Sequence, residues 1–210
     1  RDVLTRVLIG GRASLLISFS VVIFSTIMGV VLGLMAGYYG GIADTIIMRF
    51  CDIMMATPAL LLAVCVVAVL GSDYSNLILV LILTNWVMIA RVVRGVVLTI
   101  RSSDYVNAAK LMGASNAWIM ASEVLPNTLT PVIISATQNL GVVILTEASM
   151  SYLGIGITPP QASLGSMLSD AQSYLRNAPW YALSAGCAVA LLILSFSLLG
   201  EGLQQRSGRS

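Results

Sequence analysis

Apolar residues are gathered into five long stretches, and most charged residues lie between them. The stretches cover about residues 13–36, 44–70, 76–93, 129–150 and 180–199. A helix needs about 20 residues to cross the hydrocarbon core of a bilayer, and each stretch approaches or exceeds that length. The pattern therefore predicts an all-α membrane protein with five visible spans, of which the first and the fifth are the clearest.

The first stretch contains a regular strip of small residues. Gly29, Gly33 and Gly37 recur at every fourth position, and Ser25 precedes them at the same interval. On a helix this spacing leaves one flat side where a second backbone can approach closely. We expect a helix-packing seam rather than a chemical site.

Composition agrees with a lipid environment. Of the 210 residues, 58% are hydrophobic and 10% are charged, whereas soluble domains carry about 25% charged residues. Membrane lipid is therefore an expected partner. The net charge of +2 gives no support for a nucleic-acid partner.

The residue inventory also limits the chemistry. The chain has no histidine, which excludes His-based acid–base catalysis and His metal sites, and it has no Gly-x4-Gly-Lys-Ser/Thr phosphate-binding motif. Its three cysteines lie in apolar stretches, where we expect them to pack as small residues. We predict neither a catalytic site nor a metal site. Because the chain begins at Arg1, without Met or a signal peptide, we expect it to be a fragment.

The segment 96–128 differs from an ordinary connection between spans. Within it, a first helix is predicted to begin with N-cap residues at Ser102 and Ser103, to continue with good helix formers and to stop at Gly113. A second helical piece is expected over 116–124, stopped by Pro126. Four residues are expected to share a stripe on the first helix, and two of its alanines to leave a bare surface for another protein: the stripe comprises Tyr105, Val106, Ala109 and Met112, and the alanines are Ala108 and Ala109.

This segment resembles a known motif. Asn107-Ala108-Ala109, then Gly113, then Leu125-Pro126 is similar to the Glu-Ala-Ala loop of permease subunits of ABC importers, with Asn107 in place of the usual Glu and Glu123 in place of the usual Ile. Further stretches resemble the dipeptide/oligopeptide/nickel permeases, and in particular their second, C-type subunit. These are 1–6, 10–15, 36–41, 48–58, 151–156 and Pro159-Pro160.

The resemblance implies a type I ABC importer transmembrane bundle in the inner (plasma) membrane, formed by one permease domain over 1–210, with a sixth, N-terminal span missing here. It implies a second permease subunit, two ABC ATPase subunits that hold ATP and Mg, and an extracytoplasmic substrate-binding protein. This chain would then bind no cofactor. The loop 96–128 would be cytoplasmic and would dock on the ATPase through a coupling helix. The residues implied are Asp104, Tyr105, Asn107, Ala108, Ala109, Gly113, Leu125 and Pro126.

Ionisable and amide groups inside the stretches are candidates for buried polar or pathway roles, because such groups are costly in lipid. Arg49 and Asp52 are three residues apart, so we expect a structural ion pair on one helix face. Gln138, Asn139 and Glu147 interrupt the fourth stretch. For Gln138 and Glu147, contact with a translocation pathway and hydrogen bonding between helices are equally good accounts.

Basic residues and the remaining loop bear on orientation. Six lie on the face of the 91–128 segment and the C-terminus and four on the opposite face, which weakly favours a cytoplasmic 91–128 segment; they are Arg91, Arg94, Arg101, Lys110, Arg206 and Arg209 against Arg1, Arg6, Arg12 and Arg176. The loop 151–179 is then extracytoplasmic. Leu164, Met167, Leu168, Ala171 and Leu175 follow helical spacing, which predicts a short amphipathic helix at the membrane surface. It would contact the binding protein or plug the bundle.

Three other classes of function remain to be weighed. An ion-gradient-driven secondary transporter or channel would predict inverted repeats, and none is evident. An intramembrane enzyme lacks its expected motifs, and a purely structural subunit leaves the 96–128 loop unexplained. The solute stays open among dipeptides, longer peptides, glutathione-like molecules and nickel chelates.

Overall fold

Helices account for most of the chain. A computed structural model describes residues 2–71, 73–157 and 161–207, and these contain no β-strand. Arg1 and Arg209, counted among the basic residues, and Pro159 and Pro160 of the resemblance lie outside the described residues. The elements are α1 (Val3–Tyr39), α2 (Gly41–Ala56), α3 (Ala59–Leu70), α4 (Tyr74–Arg101), α5 (Asp104–Leu111), α6 (Asn116–Ile119), a π-helical turn (Met120–Val124), α7 (Leu125–Tyr152), α8 (Leu164–Ala171), a 3-10 turn (Gln172–Tyr174) and α9 (Pro179–Ser207).

Four helices of the described residues are long and apolar enough to cross a membrane: α1, α4, the helix that runs from Asn116 to Tyr152, and α9. Helices α2 and α3 are separated by a bend of 88°, and they make a fifth span if the bent pair is counted as one. The span count is confirmed in that sense, but a single straight helix over 44–70 is wrong. Pro58 lacks an amide hydrogen and Thr57 is extended, so the helix cannot continue through this point.

Helices α1 and α4 form the central pair and run in the same direction. Gly29 lies against Ile89, Gly33 against Val93 and Gly37 against Val97. A Cβ atom on Gly33 would lie 2.6 Å from the carbonyl oxygen of Ala90. The small-residue strip is therefore a packing seam, as its spacing predicts.

Helix α7 runs antiparallel to this pair and begins earlier than the sequence predicts. The piece 116–124 does not stop at Pro126, because a π-helical turn leads directly into α7. Pro126 comes directly after the π-helical turn, where the change in hydrogen-bond pattern accommodates its missing amide hydrogen. The predicted break at Pro126 is thus wrong, because α6, the π-helical turn and α7 form one continuous helix.

The bundle has two distinct ends. At the first, which we call the α5 end, α1 and α4 finish and α5 and α6 follow, with Asn116 of α6 hydrogen-bonded to Tyr38 of α1. At the second, the α8 end, α8 packs against α7 and α9. Leu164, Met167 and Ala171 are buried there, so a short amphipathic helix forms as predicted, although Leu175 falls outside it and is exposed. The placement of this helix at the membrane surface stays a prediction. Its apolar side faces the bundle.

The start of α1 at the α8 end is fixed by its own cap. Asp2 accepts hydrogen bonds from the amides of Leu4 and Thr5 and from the Thr5 hydroxyl. The hydrogen bonds from Thr5 lower the pKa of the Asp2 carboxyl. A charged carboxylate is thereby kept at the positive end of the helix dipole.

Candidate coupling surface and buried polar groups

Helix α5 is short but well terminated at both ends. Asp104 lies in its first turn and Lys110 in its last, so both charges complement the helix dipole. Gly113 follows with φ 82°, its amide donates to the Lys110 carbonyl at 3.0 Å, and the Ala114 amide donates to the Ala109 carbonyl at 3.1 Å. This is a Schellman ending, and it confirms Gly113 as the predicted stop.

One side of α5 is held by the bundle. Val106 is fully buried and Ala109 is 4% exposed, and both belong to a cluster with Val97, Ile119 and Val124. The expected bare surface of two alanines is therefore wrong for Ala109, which faces inward, while Ala108 remains exposed. The predicted stripe is likewise split, because Tyr105 and Met112 point to solvent.

Large apolar side chains at the end of α5 and on α6 are exposed. Leu111 is 90% exposed, Met112 is 82% exposed and Trp118 on α6 is 51% exposed. We call these three residues the α5 surface. A shallow cavity of about 370 Å³ lies between Met112 and Trp118 and is floored by Ala109 and Ala114. Adjacent exposed apolar groups of this size are typical of a contact with another protein or with membrane lipid.

Three contacts brace this region to the end of α1, and none was expected from sequence. The Tyr38 hydroxyl donates to Asn116 Oδ1 at 3.0 Å, and Lys110 Nζ lies 5.7 Å from the centre of the Tyr38 ring. Arg101 Nη1 donates to the carbonyls of Gly37 and Tyr38 at 3.2 and 3.1 Å. Arg101 thus satisfies carbonyls that the end of α1 leaves free.

The residues implied by the resemblance lie on α5, directly after it and at the start of α7. Asp104, Tyr105, Asn107 and Ala108 are exposed on α5. Leu125 is half-buried and Pro126 exposed at the start of α7. Their role in docking stays a prediction.

Charged residues of α2 pair with α4. Arg94 holds Asp44 through two hydrogen bonds, Nε to Oδ1 at 2.5 Å and Nη2 to Oδ2 at 2.7 Å. Asp52 accepts from Arg91 Nη2 at 2.6 Å, whereas Arg49 lies 3.9 Å from the other oxygen of Asp52. The predicted Arg49–Asp52 pair exists, but the main partner of Asp52 is Arg91. Arg91 is 39 positions away in sequence and is brought into contact by α4.

Glu147 is fully buried near the α8 end. Its Oε2 accepts from the Ser14 hydroxyl at 2.7 Å and its Oε1 from the Ser151 hydroxyl at 2.8 Å. The Ser151 oxygen in turn accepts from the Ile157 amide at 3.3 Å. This network joins α1, α7 and the following loop, which is the geometry of the helix-to-helix alternative.

The two amides of α7 differ in environment. Gln138 is exposed and donates to Gln204 Oε1 on α9 at 3.2 Å. Asn139 is buried, and its Nδ2 has no hydrogen-bond partner among the described residues. A pathway role for either amide stays a prediction.

Comparison with known proteins identifies the family to which this chain is similar. Residues 29–209 match the family described as "Binding-protein-dependent transport system inner membrane component". The chain is 39% identical, over 97% of its length and 67% of the relative's, to a dipeptide transport system permease protein of Alkalihalophilus pseudofirmus. It is also 39% identical, over 97% of its length and 68% of the relative's, to a glutathione transport system permease protein of Pectobacterium atrosepticum.

Solved structures share the fold at lower identity. An inward-facing MetNI methionine ABC transporter chain superposes with a TM-score of 0.76 at 20% identity, covering 97% of this chain and 96% of that one. An amino acid ABC transporter chain gives 0.72 at 17% identity, covering 98% and 99%. The helical bundle is therefore that of type I ABC importer permeases.

The match over most of the chain and the level of identity agree with the apolar helices. This chain belongs to the family of inner-membrane components of binding-protein-dependent transport systems and is a multi-pass inner-membrane permease component of the ABC transporter type.

Proposed function

We propose that this chain forms half of the translocation pathway of an ATP-driven importer for small peptides or glutathione-like solutes. The observation that carries the proposal is the 39% identity, over 97% of the chain, to both a dipeptide and a glutathione permease. A second, homologous permease subunit would supply the other half. The chain itself would hydrolyse no ATP, which two partner ATPase subunits would bind with Mg.

In the proposed mechanism, the ATPase contacts the α5 surface and moves it as a rigid body. Two routes would carry this motion into the spans. One runs through Arg101 and Tyr38 to the end of α1. The other runs through Asn116 and the unbroken helix to Tyr152. Rigid elements with such direct connections are suited to switching a bundle between two packed arrangements.

The proposal also fixes the orientation of the bundle. The α5 end would lie in the cytoplasm, where ATP is hydrolysed, and the α8 end would face outward. A substrate-binding protein would deliver solute to the α8 end. In the proposal, α8, which packs on α7 and α9, closes this end of the bundle. The substrate-binding protein would contact it there.

The experiment that tests the proposal changes the α5 surface without disturbing the bundle. Replacing both Leu111 and Met112 with Asp puts two charges on positions that touch little of this chain, so insertion should be unchanged and the unfolding temperature should fall only slightly, because acidic groups oppose the dipole at the end of α5. We expect loss of copurification with the ATPase subunits, and peptide uptake reduced at least tenfold, because buried unpaired charges oppose docking.

A matched control is Leu175→Asp, which places the same charge on a 53% exposed leucine at the opposite end. It should leave ATPase copurification intact. Retained copurification in the double variant would contradict docking at α5. Uptake that persists in cells without any ATPase subunit would contradict the importer and support a gradient-driven carrier.

A further inference from the structure

An apolar groove lies between α1 and α9, away from the α5 surface. It encloses about 660 Å³ and is lined mainly by aliphatic and aromatic groups, among them Leu8, Leu15, Phe19, Leu191 and Leu192. From Leu8 to Phe19 it follows α1 for about 16 Å, which is close to half of the ~30 Å hydrocarbon core. Its length therefore suits an acyl chain of a single leaflet.

One cation interrupts this apolar lining. Arg12 is exposed at the groove, and no ion pair or hydrogen bond joins it to another side chain in the described ranges 2–71, 73–157 and 161–207. Arg6, about 9 Å nearer the helix start, differs because it donates to the Tyr181 hydroxyl and approaches Asp170. A guanidinium at the edge of the hydrocarbon without an anion is costly.

The position of Arg12 along α1 suits contact with lipid phosphates at the α8 end. It directly precedes the uncharged apolar stretch that begins at Ala13. Side chains on a helix lean toward its N-terminus, which for α1 is the α8 end, so the guanidinium reaches back toward the headgroups. Trp180 and Tyr181 at the start of α9, where Arg6 meets Tyr181, mark the interface toward which the Arg12 side chain reaches.

We propose that the groove binds an anionic phospholipid, with the phosphate on Arg12 and one acyl chain along α1 and α9. This inference rests on the membrane location of the family and not on the solute or on ATPase docking. Charge complementarity favours an anionic over a zwitterionic lipid, because the uncompensated positive charge of Arg12 attracts a headgroup of net negative charge more strongly.

The test is native mass spectrometry of the assembled transporter in detergent with equal amounts of phosphatidylglycerol and phosphatidylethanolamine. We expect the wild-type complex to retain phosphatidylglycerol preferentially, and Arg12→Gln to lower that preference about fivefold, as expected for one basic residue near an anionic surface. Arg12→Lys should keep part of it. Arg176→Gln is the control, because it removes an exposed charge at the same end without touching the groove.

A further variant tests the acyl-chain site separately. A Cβ on Gly11 would meet no atom within 4 Å, so Gly11→Phe can fill the groove while Arg12 stays. We expect it to lower lipid retention at unchanged unfolding temperature. Equal retention of the two lipids by the wild type, or equal effects of the Arg12 and Arg176 changes, would overturn the proposal. Cross-linking of Leu16→Cys to another protein subunit would also overturn it.

Discussion

Single glycines in this bundle differ sharply in what a side chain would meet. Gly33 faces the backbone of α4, whereas Gly95 in α4 has nothing within 4 Å of an added Cβ. The same change to alanine should therefore have opposite effects. Alanine is the better helix former by roughly 0.5–1 kcal/mol, but overpacking a tight contact costs about 1–3 kcal/mol.

We predict that Gly33→Ala lowers the free energy of unfolding by about 1–2 kcal/mol, because its Cβ would lie 2.6 Å from the Ala90 oxygen. Gly95→Ala should leave stability unchanged or raise it slightly. Thermal unfolding of the two purified variants in the same detergent measures both. A Gly33→Ala protein as stable as Gly95→Ala would show that the seam is not close-packed.

The ion pairs of α2 allow a second prediction at this scale. A double-mutant cycle with Arg94→Gln and Asp44→Asn should give a coupling energy of about 2 kcal/mol, because the ion pair is bidentate and partly buried. The same cycle on Arg49 and Asp52 should give under about 0.5 kcal/mol, since that pair is 3.9 Å apart and exposed. Equal couplings would contradict the pairing scheme.

Sequence reasoning at the residue scale succeeded where partners are local and failed where they are distant. The glycine strip and the Gly113 stop follow from spacing on one helix. The Arg94–Asp44 pair, the Arg91 partner of Asp52 and the Ser14 partner of Glu147 depend on which helices meet. No pattern in one sequence contains that information.

Among the elements, α5 carries the proposed contact with the ATPase, and its end depends on one backbone conformation. Gly113 adopts φ 82° with open space around its Cβ position, so a substitution there tests conformation alone. We predict that Gly113→Ala costs about 1 kcal/mol and Gly113→Asn less, because Asn tolerates the left-handed region. Hydrogen exchange of the α5 amides should then be about fivefold faster in the Ala variant. Exchange at the wild-type rate would contradict the Schellman ending.

Two features of the elements were not predictable from hydropathy. The stretch 44–70 reads as one span, yet Pro58 divides it and the halves turn by 88°. Pro126 reads as a stop, yet it lies in the first turn of a continuing helix. Pro58 follows an extended residue and separates two helices, whereas Pro126 follows a π-helical turn and Pro131 lies inside α7 without ending it, so a proline alone does not fix a helix boundary.

For the whole molecule, the arrangement of its two ends is what makes transport from one side to the other intelligible. The proposed ATPase contact and the proposed substrate entry lie at opposite ends of the same four long helices. Composition alone predicted the membrane bundle. The partners at each end rest on family membership, because a single chain carries no record of what touches its exposed apolar groups.

The most direct test of this arrangement is labelling from each side of the membrane. In a cysteine-free background, Asn107→Cys on α5 and Ser173→Cys at the α8 end, both exposed positions, are treated with a membrane-impermeant maleimide. The account predicts that intact cells label only the Ser173 position, and that inverted vesicles label the Asn107 position only when the ATPase subunits are absent. Labelling of the Asn107 position from outside, or equal labelling with and without the ATPase, would contradict it.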